Sequence, residues 1–169
     1  MENAAKPDLA KIKLRTELAP GDLGYIAYLH GELYAKELNY GLNFEIYVLE
    51  GLVNLAREFD KEKDKVWICE DKERIIGSLV AQHKNDAVQL RYFILLPEYR
   101  GIGLGKKLMD GFTDFLKTTG CAHAFLWTTN EQSPAISLYA RYGFTLTDEK
   151  SSDTFGKKLI EKRYDLFLS

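Results

Sequence analysis

Cysteines and long apolar runs are scarce in this sequence of 169 residues. The two cysteines, Cys69 and Cys121, are too few for a disulfide framework, so buried free thiols are the simpler interpretation. No apolar run approaches the roughly 20 residues of a membrane-spanning helix, and the N-terminus lacks the apolar core of a signal peptide. We therefore expect a cytoplasmic protein with no membrane partner.

An excess of charge of one sign is also missing. The chain has 23 basic and 25 acidic residues, which leaves a formal net charge of −2 at pH 7. This balance argues against the basic surface with which proteins hold nucleic acid, and no nucleic-acid partner is expected. No two of the three histidines, His30, His83 and His123, have the spacing of a metal-binding motif, so no metal is expected either.

Length and patterning predict one domain over residues 1–169, with a flexible N-terminal segment at residues 1–11. Hydrophobic periodicity predicts the order strand, two helices, three strands, helix, strand, helix and two strands. The last two strands are predicted at residues 144–146 and 164–168. Together these elements predict an α+β sandwich, built on a mostly antiparallel sheet of about seven strands with about four helices.

The most informative segment follows the third of the central strands. Arg100 precedes three glycines at alternate positions, Gly101, Gly103 and Gly105, and an amphipathic helix begins immediately afterwards. Glycines this close together leave backbone N–H groups uncovered, and the start of a helix adds the positive end of its dipole. The segment therefore predicts that main-chain groups bind a phosphate-bearing cofactor.

Two common phosphate-binding motifs do not fit this segment. A Walker-type loop needs Ser or Thr after Gly-Lys, whereas Gly105 and Lys106 are followed by Lys107. A dinucleotide-binding fingerprint needs Gly-x-Gly-x-x-Gly after the first parallel strand and an acidic residue about 20 positions further on. Here the glycines have another spacing and follow antiparallel strands, so both alternatives fail on context.

The pattern Arg100-x-x-Gly103-x-Gly105, after a strand that ends in Leu-x-Pro, instead resembles the acyl-coenzyme A pyrophosphate loop of the Gcn5-related N-acetyltransferases (GNAT). A second similarity lies downstream, where this family has Asn, Ala, Leu-Tyr and Gly-Phe in that order. The matching residues are Asn130, Ala135, Leu138, Tyr139, Gly143 and Phe144. Two motifs in the expected order are far more specific than one, and the resemblance extends over residues 12–168.

Within the family, the resemblance is closest to acetyltransferase domains that are fused behind MarR-type transcription regulators. The features that are similar in those domains are His30, Tyr34, Glu37, Trp67, residues 126–128 and the pair Phe155-Gly156. The chain has no room for a DNA-binding domain as well, so we expect a free-standing relative.

The resemblance implies an N-acetyltransferase that uses acetyl-coenzyme A and no metal, with a mixed sheet that splays beside residues 122–128. The backbone of Leu95 and Leu96 would bind the pantetheine arm, and the glycine loop would bind the pyrophosphate. The implied cofactor-binding residues are Leu95, Leu96, Arg100, Gly101, Ile102, Gly103, Leu104, Gly105, Lys106, Asn130 and Tyr139.

The resemblance also implies that an amine attacks the thioester directly in a ternary complex. This reaction needs a proton acceptor for the amine and a proton donor for the leaving thiolate. Tyr139 stands at the position of the family's proton-donating tyrosine, and the candidate bases are Glu37 and Glu45, in the segment that covers the acceptor pocket. Cys121 and His123 lack an orienting partner and are not expected to form a nucleophilic pair.

Two functional hypotheses stay open on the sequence. The first is an enzyme that acetylates a small-molecule or peptide amine, and the second is a non-catalytic module that binds or senses acyl-coenzyme A. The retention of Tyr139 favours the enzyme, because a binding module needs no proton donor. The sequence does not name the acceptor amine or the acyl chain, and it leaves a monomer and a homodimer open.

Overall fold

The structure, a computed structural model, describes residues 4–169. Its main elements, in chain order, are β1 (Lys13–Arg15), α1 (Asp22–Leu38), α2 (Leu42–Glu58), β2 (Lys65–Asp71), β3 (Arg74–Lys84), β4 (Ala87–Leu95), α3 (Leu104–Thr119), β5 (His123–Thr129), α4 (Ser133–Arg141), β6 (Thr145–Ser152) and β7 (Leu159–Phe167). The predicted order of helices and strands is confirmed.

All of these strands form one sheet in the order β1-β2-β3-β4-β5-β7-β6. Neighbouring strands are antiparallel except β4 and β5, which run parallel. Sequential hairpins build β2, β3 and β4, and α3 then carries the chain across to β5, as a parallel connection requires. The prediction of a mixed, mostly antiparallel sheet of seven strands with four helices is confirmed.

Helices cover both faces of the sheet, and strand β2 shows this most clearly. Val66 and Ile68 pack in the hydrophobic cluster that contains α2, whereas Trp67 and Cys69 pack in the cluster that contains α3. Because successive side chains of a strand point to opposite faces, this alternation means that β2 is buried on both sides. The two-sided burial explains why the central strands are apolar at nearly every position.

Strand β4 loses its regular geometry where it meets β5. Their parallel pairing covers only Val88 with Ala124 and Gln89 with Phe125, and the two strands diverge beyond these residues. The register of β4 with β3 also shifts, at a bulge that contains Tyr92 with φ of +50°. The sheet is therefore splayed between β4 and β5, as the family resemblance implied.

The C-terminal hairpin is longer than the sequence predicted. The strands expected at residues 144–146 and 164–168 extend over Thr145–Ser152 and Leu159–Phe167. Strand β6 lies at the edge of the sheet and is exposed at nearly every position. An exposed edge strand carries polar residues and gives no apolar alternation, which is why the prediction ended too early.

The N-terminal segment was predicted to be flexible at residues 1–11. Residues 1–3 lie outside the described part of the chain, whereas Leu9–Lys11 form a short 3-10 helix and Leu9 packs against the core. Flexibility of this segment stays a prediction. No helix among residues 4–169 has both the length and the apolar character needed to cross a bilayer.

Candidate active site

The loop between β4 and α3 has a backbone that requires glycine. Gly101 and Gly103 have φ of +76° and +93°, angles that residues with side chains rarely adopt, and α3 begins at Leu104. The backbone N–H groups of residues 101–106 have no hydrogen-bond acceptor within residues 4–169. Free N–H groups at the start of a long helix are well suited to bind anionic oxygens.

Gly105 differs from the other two loop glycines because it lies within the first turn of α3. A Cβ at Gly105 would lie 3.5 Å from Leu138 Cδ2 and 3.7 Å from Phe93 Cζ, which is ordinary van der Waals contact. A methyl group at this position would therefore fit between α3, β4 and α4, and the backbone angles do not require glycine either.

Arg100 reaches back from the loop to the end of β4. Its Nε donates to the carbonyl oxygen of Leu95 at 3.1 Å, and its Nη1 donates to the carboxylate of Glu37 at 3.1 Å. The side chains of Arg100 and Glu37 are 46% and 37% exposed, so this ion pair adds at most about 1 kcal/mol of stability. Glu37 thus lies beside the glycine loop and is paired with Arg100.

Two of the other implied cofactor residues use their side chains in local contacts. The Asn130 backbone N–H donates to the Ile160 carbonyl at 3.0 Å, and Asn130 Oδ1 accepts from the Ile160 N–H at 2.9 Å, which extends the pairing of β5 with β7. Lys106 Nζ lies 2.7 Å from Asp110 Oδ2 on the outer face of α3. The loop therefore offers the Lys106 N–H rather than its ammonium group.

A cavity of about 110 Å³ lies in the splay between β4 and β5. Its walls come from α1, α2, β4 with its bulge, the end of β5, α4, β7 and the segment before β7. One side is aromatic, formed by Tyr34, Phe44, Tyr47 and Phe155, and the Phe44 ring centroid lies 4.9 Å from that of Tyr34 and 5.0 Å from that of Phe155. The cavity can enclose a small ligand with apolar surface.

Tyr139 is the buried residue of α4 and lines this cavity. Its ring packs between Phe93 of β4 and Phe144, with centroid distances of 6.2 and 6.0 Å. Burial raises the pKa of Tyr139, so its hydroxyl stays protonated near neutral pH. The structure therefore brings a neutral hydroxyl donor to the point where β4 and β5 diverge.

The two candidate bases lie elsewhere. The carboxylate of Glu45 packs on α1, where a Cβ at Gly31 would come within 2.5 Å of Glu45 Oε1. Neither Glu45 nor Glu37 lines the cavity, whereas Glu161 of β7 does. The structure thus brings Tyr139 and Glu161 to one cavity and leaves the two candidate bases outside it.

His30 of α1 also lines the cavity, a position that was not predicted from the sequence. Its Nδ1 lies 2.8 Å from the carbonyl oxygen of Ile26 and must donate to it, because a carbonyl can only accept. Burial lowers the pKa of His30 to about 4, and the nearby Arg91 acts in the same direction. His30 is therefore neutral at pH 7 and keeps a lone pair on Nε2.

Two hydroxyl groups in the cavity wall were also not predicted. Tyr92 Oη and Thr128 Oγ1 are buried without a hydrogen-bond partner in the part of the chain that the structure describes. A buried polar group without a partner costs about 1–3 kcal/mol, so such groups are rare unless a ligand or a water molecule satisfies them. No signal in the sequence could have found them, because the bulge at Tyr92 has no motif.

The cysteines take no part in the candidate site. Cys121 Sγ donates to the carbonyl oxygen of His123 at 3.2 Å, while the His123 ring bonds to Asp165 at 2.6 Å and stacks on Phe167. Burial raises the pKa of Cys69 to about 12, so its thiol is unreactive. Among residues 4–169, no group of three or more His, Cys, Asp or Glu residues could hold a metal ion.

Residues 26–144 match a family that is described as "Acetyltransferase (GNAT) family". The match covers more than half of the chain, and the splayed sheet and glycine loop agree with the same assignment. The chain therefore belongs to the GNAT acetyltransferases.

Similar proteins have matching descriptions. Streptothricin acetyltransferase of Streptomyces lavendulae is 37% identical over 60 residues, which are 36% of this chain and 32% of that protein. The match thus spans about a third of that relative's length. An acetyltransferase structure from Streptococcus agalactiae has a TM-score of 0.73 at 20% identity, covering 94% of this chain and 99% of that one.

A spermidine N-acetyltransferase from Vibrio cholerae, solved in complex with CoA and spermine, has a TM-score of 0.67 at 21% identity and covers 94% of this chain and 96% of that one. At such identities, the two structural similarities establish the fold. The GNAT fold that the sequence resemblance implied is confirmed.

Proposed function

We propose that this chain transfers the acetyl group of acetyl-coenzyme A directly to an amine in a ternary complex. The observation that carries the proposal is a single continuous region, in which the free N–H groups of residues 101–106 and a cavity lined by Tyr139 flank the diverging end of β4. In the reaction, the amine nitrogen bonds to the acetyl carbon, the bond between that carbon and sulfur breaks, and the sulfur takes up a proton.

The residues at the open end of β4 fit coenzyme A. The N–H groups of residues 101–106 would hold the pyrophosphate, and the main chain of Leu95 and Leu96, beyond the pairing with β5, would hold the pantetheine arm. The Leu95 carbonyl already accepts a hydrogen bond from Arg100, so this contact would yield to the ligand or be shared with it. Acetyl-coenzyme A supplies the acetyl group as an activated thioester.

In this proposal, Tyr139 donates its hydroxyl proton to the departing sulfur. A buried phenol is a weak acid, and burial raises the pKa of Tyr139 further. The same lack of water also raises the basicity of a thiolate in the cavity, because both anions lose hydration there. Proton transfer, or a strong hydrogen bond from the Tyr139 hydroxyl, therefore stabilises the leaving group.

The amine must lose a proton during the transfer. His30 and Glu161 line the cavity, and His30 Nε2 and the Glu161 carboxylate can accept this proton directly. Glu37 and Glu45 do not line the cavity, so as bases they would act through bridging water. We keep all of these residues as candidates, with the two cavity residues preferred on position.

The acceptor is proposed to be a small amine or the end of a chain. A cavity of about 110 Å³ encloses a group of that size. The finer likeness to domains fused to MarR-type regulators stays part of this proposal and rests on similar sequence features, among them His30, Tyr34 and Phe155. We also propose that residues 1–169 form one cytoplasmic domain.

Thermal unfolding with acetyl-coenzyme A and with free coenzyme A tests the cofactor assignment. At 100 times its dissociation constant, a ligand adds about 2.7 kcal/mol of stability, which raises Tm by roughly 5–10 °C for a domain of this size. No shift at millimolar ligand would contradict the proposal. Release of free thiol over a panel of amines then separates an enzyme from a module that only binds acyl-coenzyme A.

A further inference from the structure

Arg91 is a charged residue in the cavity wall to which acetyl transfer itself gives no role. It is half-buried, and within residues 4–169 its guanidinium forms no ion pair and donates one hydrogen bond, to Gln82 Oε1 at 3.3 Å. A guanidinium carries five N–H donors, and removing a charge from water without a counter-charge is unfavourable. Arg91 also lies 4.8 Å from the Tyr92 ring centroid, and Glu161 is the acidic residue of the same cavity. Because neither residue accepts a hydrogen bond from the guanidinium, Arg91 keeps N–H donors for an anionic group.

The fold accommodates Arg91 with a glycine in α2, which lowers the stability of that helix. Successive side chains of a strand normally point to opposite faces, yet the bulge turns both Arg91 and Tyr92 toward α2. A Cβ at Gly51 of α2 would lie 2.7 Å from Arg91 Nη2 and closer still to Tyr92 Oη, so a larger residue would force these side chains to move. Glycine inside a helix costs about 0.5–1 kcal/mol relative to alanine.

The chemistry of this wall fits a carboxylate. A guanidinium binds a carboxylate through two parallel N–H···O bonds, so Arg91 is a suitable partner for such a group. An acceptor with several positive charges would be repelled by Arg91. The aromatic residues Phe44, Tyr47 and Phe155 on the other side of the cavity fit an apolar side chain.

We infer that the acceptor is an amino acid with an apolar side chain, whose carboxylate binds Arg91 while its amine faces the splay. This inference rests on the proposed acetyl transfer and names its acceptor class. The anionic group that binds Arg91 could also be a phosphate, so the test includes amines that carry a carboxylate and an amine that carries a phosphate.

The test measures thiol release from acetyl-coenzyme A with five acceptors: leucine, phenylalanine, leucinamide, aminoethyl phosphate and spermidine. We expect kcat/KM for leucine to exceed that for leucinamide by about 30-fold or more, since losing one partner of a buried charge pair is costly. The amide has the more easily deprotonated amine, so chemical reactivity alone would favour the opposite order. Arg91→Gln should bring the ratio close to 1, mainly through KM, without changing the affinity for coenzyme A.

Arg57→Gln is the matched control, because it removes the same charge from an exposed position on α2. It should keep the wild-type preference for leucine. A second measurement needs no turnover: N-acetyl-leucine should raise the Tm of the wild-type protein saturated with coenzyme A, and should not do so for Arg91→Gln.

Several outcomes would overturn the inference. The inference would be wrong if the wild-type protein used spermidine or leucinamide better than leucine. A preference for aminoethyl phosphate would show that Arg91 binds a phosphate and not a carboxylate. The inference would also be wrong if coenzyme A binds but neither amino acid is acetylated and N-acetyl-leucine does not stabilise the protein. By contrast, failure of coenzyme A to bind at all would refute the proposed acetyl transfer.

Discussion

Valine at Gly103 and alanine at Gly105 should have very different effects, although the two glycines look equivalent in the sequence. Gly103 has φ of +93° and opens the N-terminus of α3, so Gly103→Val forces a β-branched residue into a left-handed conformation. Such strain costs about 1–3 kcal/mol, and relaxing it would turn N–H groups of the loop away from the ligand. Each hydrogen bond to a charged phosphate is worth about 1.5–3 kcal/mol, or at least tenfold in affinity.

Gly103→Val should therefore lower Tm by roughly 2–4 °C per kcal/mol of strain and weaken coenzyme A binding by about 30-fold or more. Gly105→Ala places its Cβ at 3.5 Å or more from its neighbours, so it should fold and bind within about threefold of wild type. Titration calorimetry with coenzyme A measures both affinities, and circular dichroism checks the fold. Wild-type affinity in folded Gly103→Val would show that the pyrophosphate does not bind at this loop.

Tyr139→Phe should keep the packing of the ring against Phe93 and Phe144, and it should keep the affinity for coenzyme A. It should slow the chemical step about 10²–10⁴-fold, which raises the barrier by roughly 3–5 kcal/mol. An unchanged single-turnover rate would mean that Tyr139 is only a packing residue. His30 should destabilise the folded protein in acid, because the pKa of its imidazole is about 4 in the folded state and about 6.5 in the unfolded state. As the pH falls, the unfolded state binds a proton first, and this binding favours unfolding. Wild type should lose roughly 1–2 kcal/mol of stability between pH 6.5 and 5 relative to His30→Asn, and parallel pH curves for the two proteins would contradict this.

The order of the elements could be predicted because the central strands and the amphipathic helices are periodic and strongly apolar. Helix α3, with Leu108 and Phe112 fully buried, is an example in which one stripe of residues fixes both the element and its packing. The ends of strand β6 could not be predicted in the same way, because a solvated edge strand has no apolar face. Periodicity predicts elements that are buried and fails where burial ends.

The free N–H groups of the glycine loop could be predicted, because they depend on local backbone chemistry within a few residues. The cavity between β4 and β5 could not, because it depends on contacts between distant elements. Arg91 and Gly51 come together only through the bulge of β4 and the packing of α2 on it. Likewise, the sequence places Glu37 and Glu45 in a segment near the cavity but does not predict that Arg100 pairs with Glu37.

The exposed edge of the sheet has a consequence for how molecules of this protein meet in solution. Strand β6 presents unpaired main-chain groups along its outer side, and such an edge is a template on which a strand of another molecule can add. Its side chains include Asp148, Glu149 and Lys150, and these charges would have to lose water or face one another if two β6 edges met. The polar composition of β6, which kept hydrophobic periodicity from predicting its full length, thus protects the folded protein against edge-to-edge aggregation.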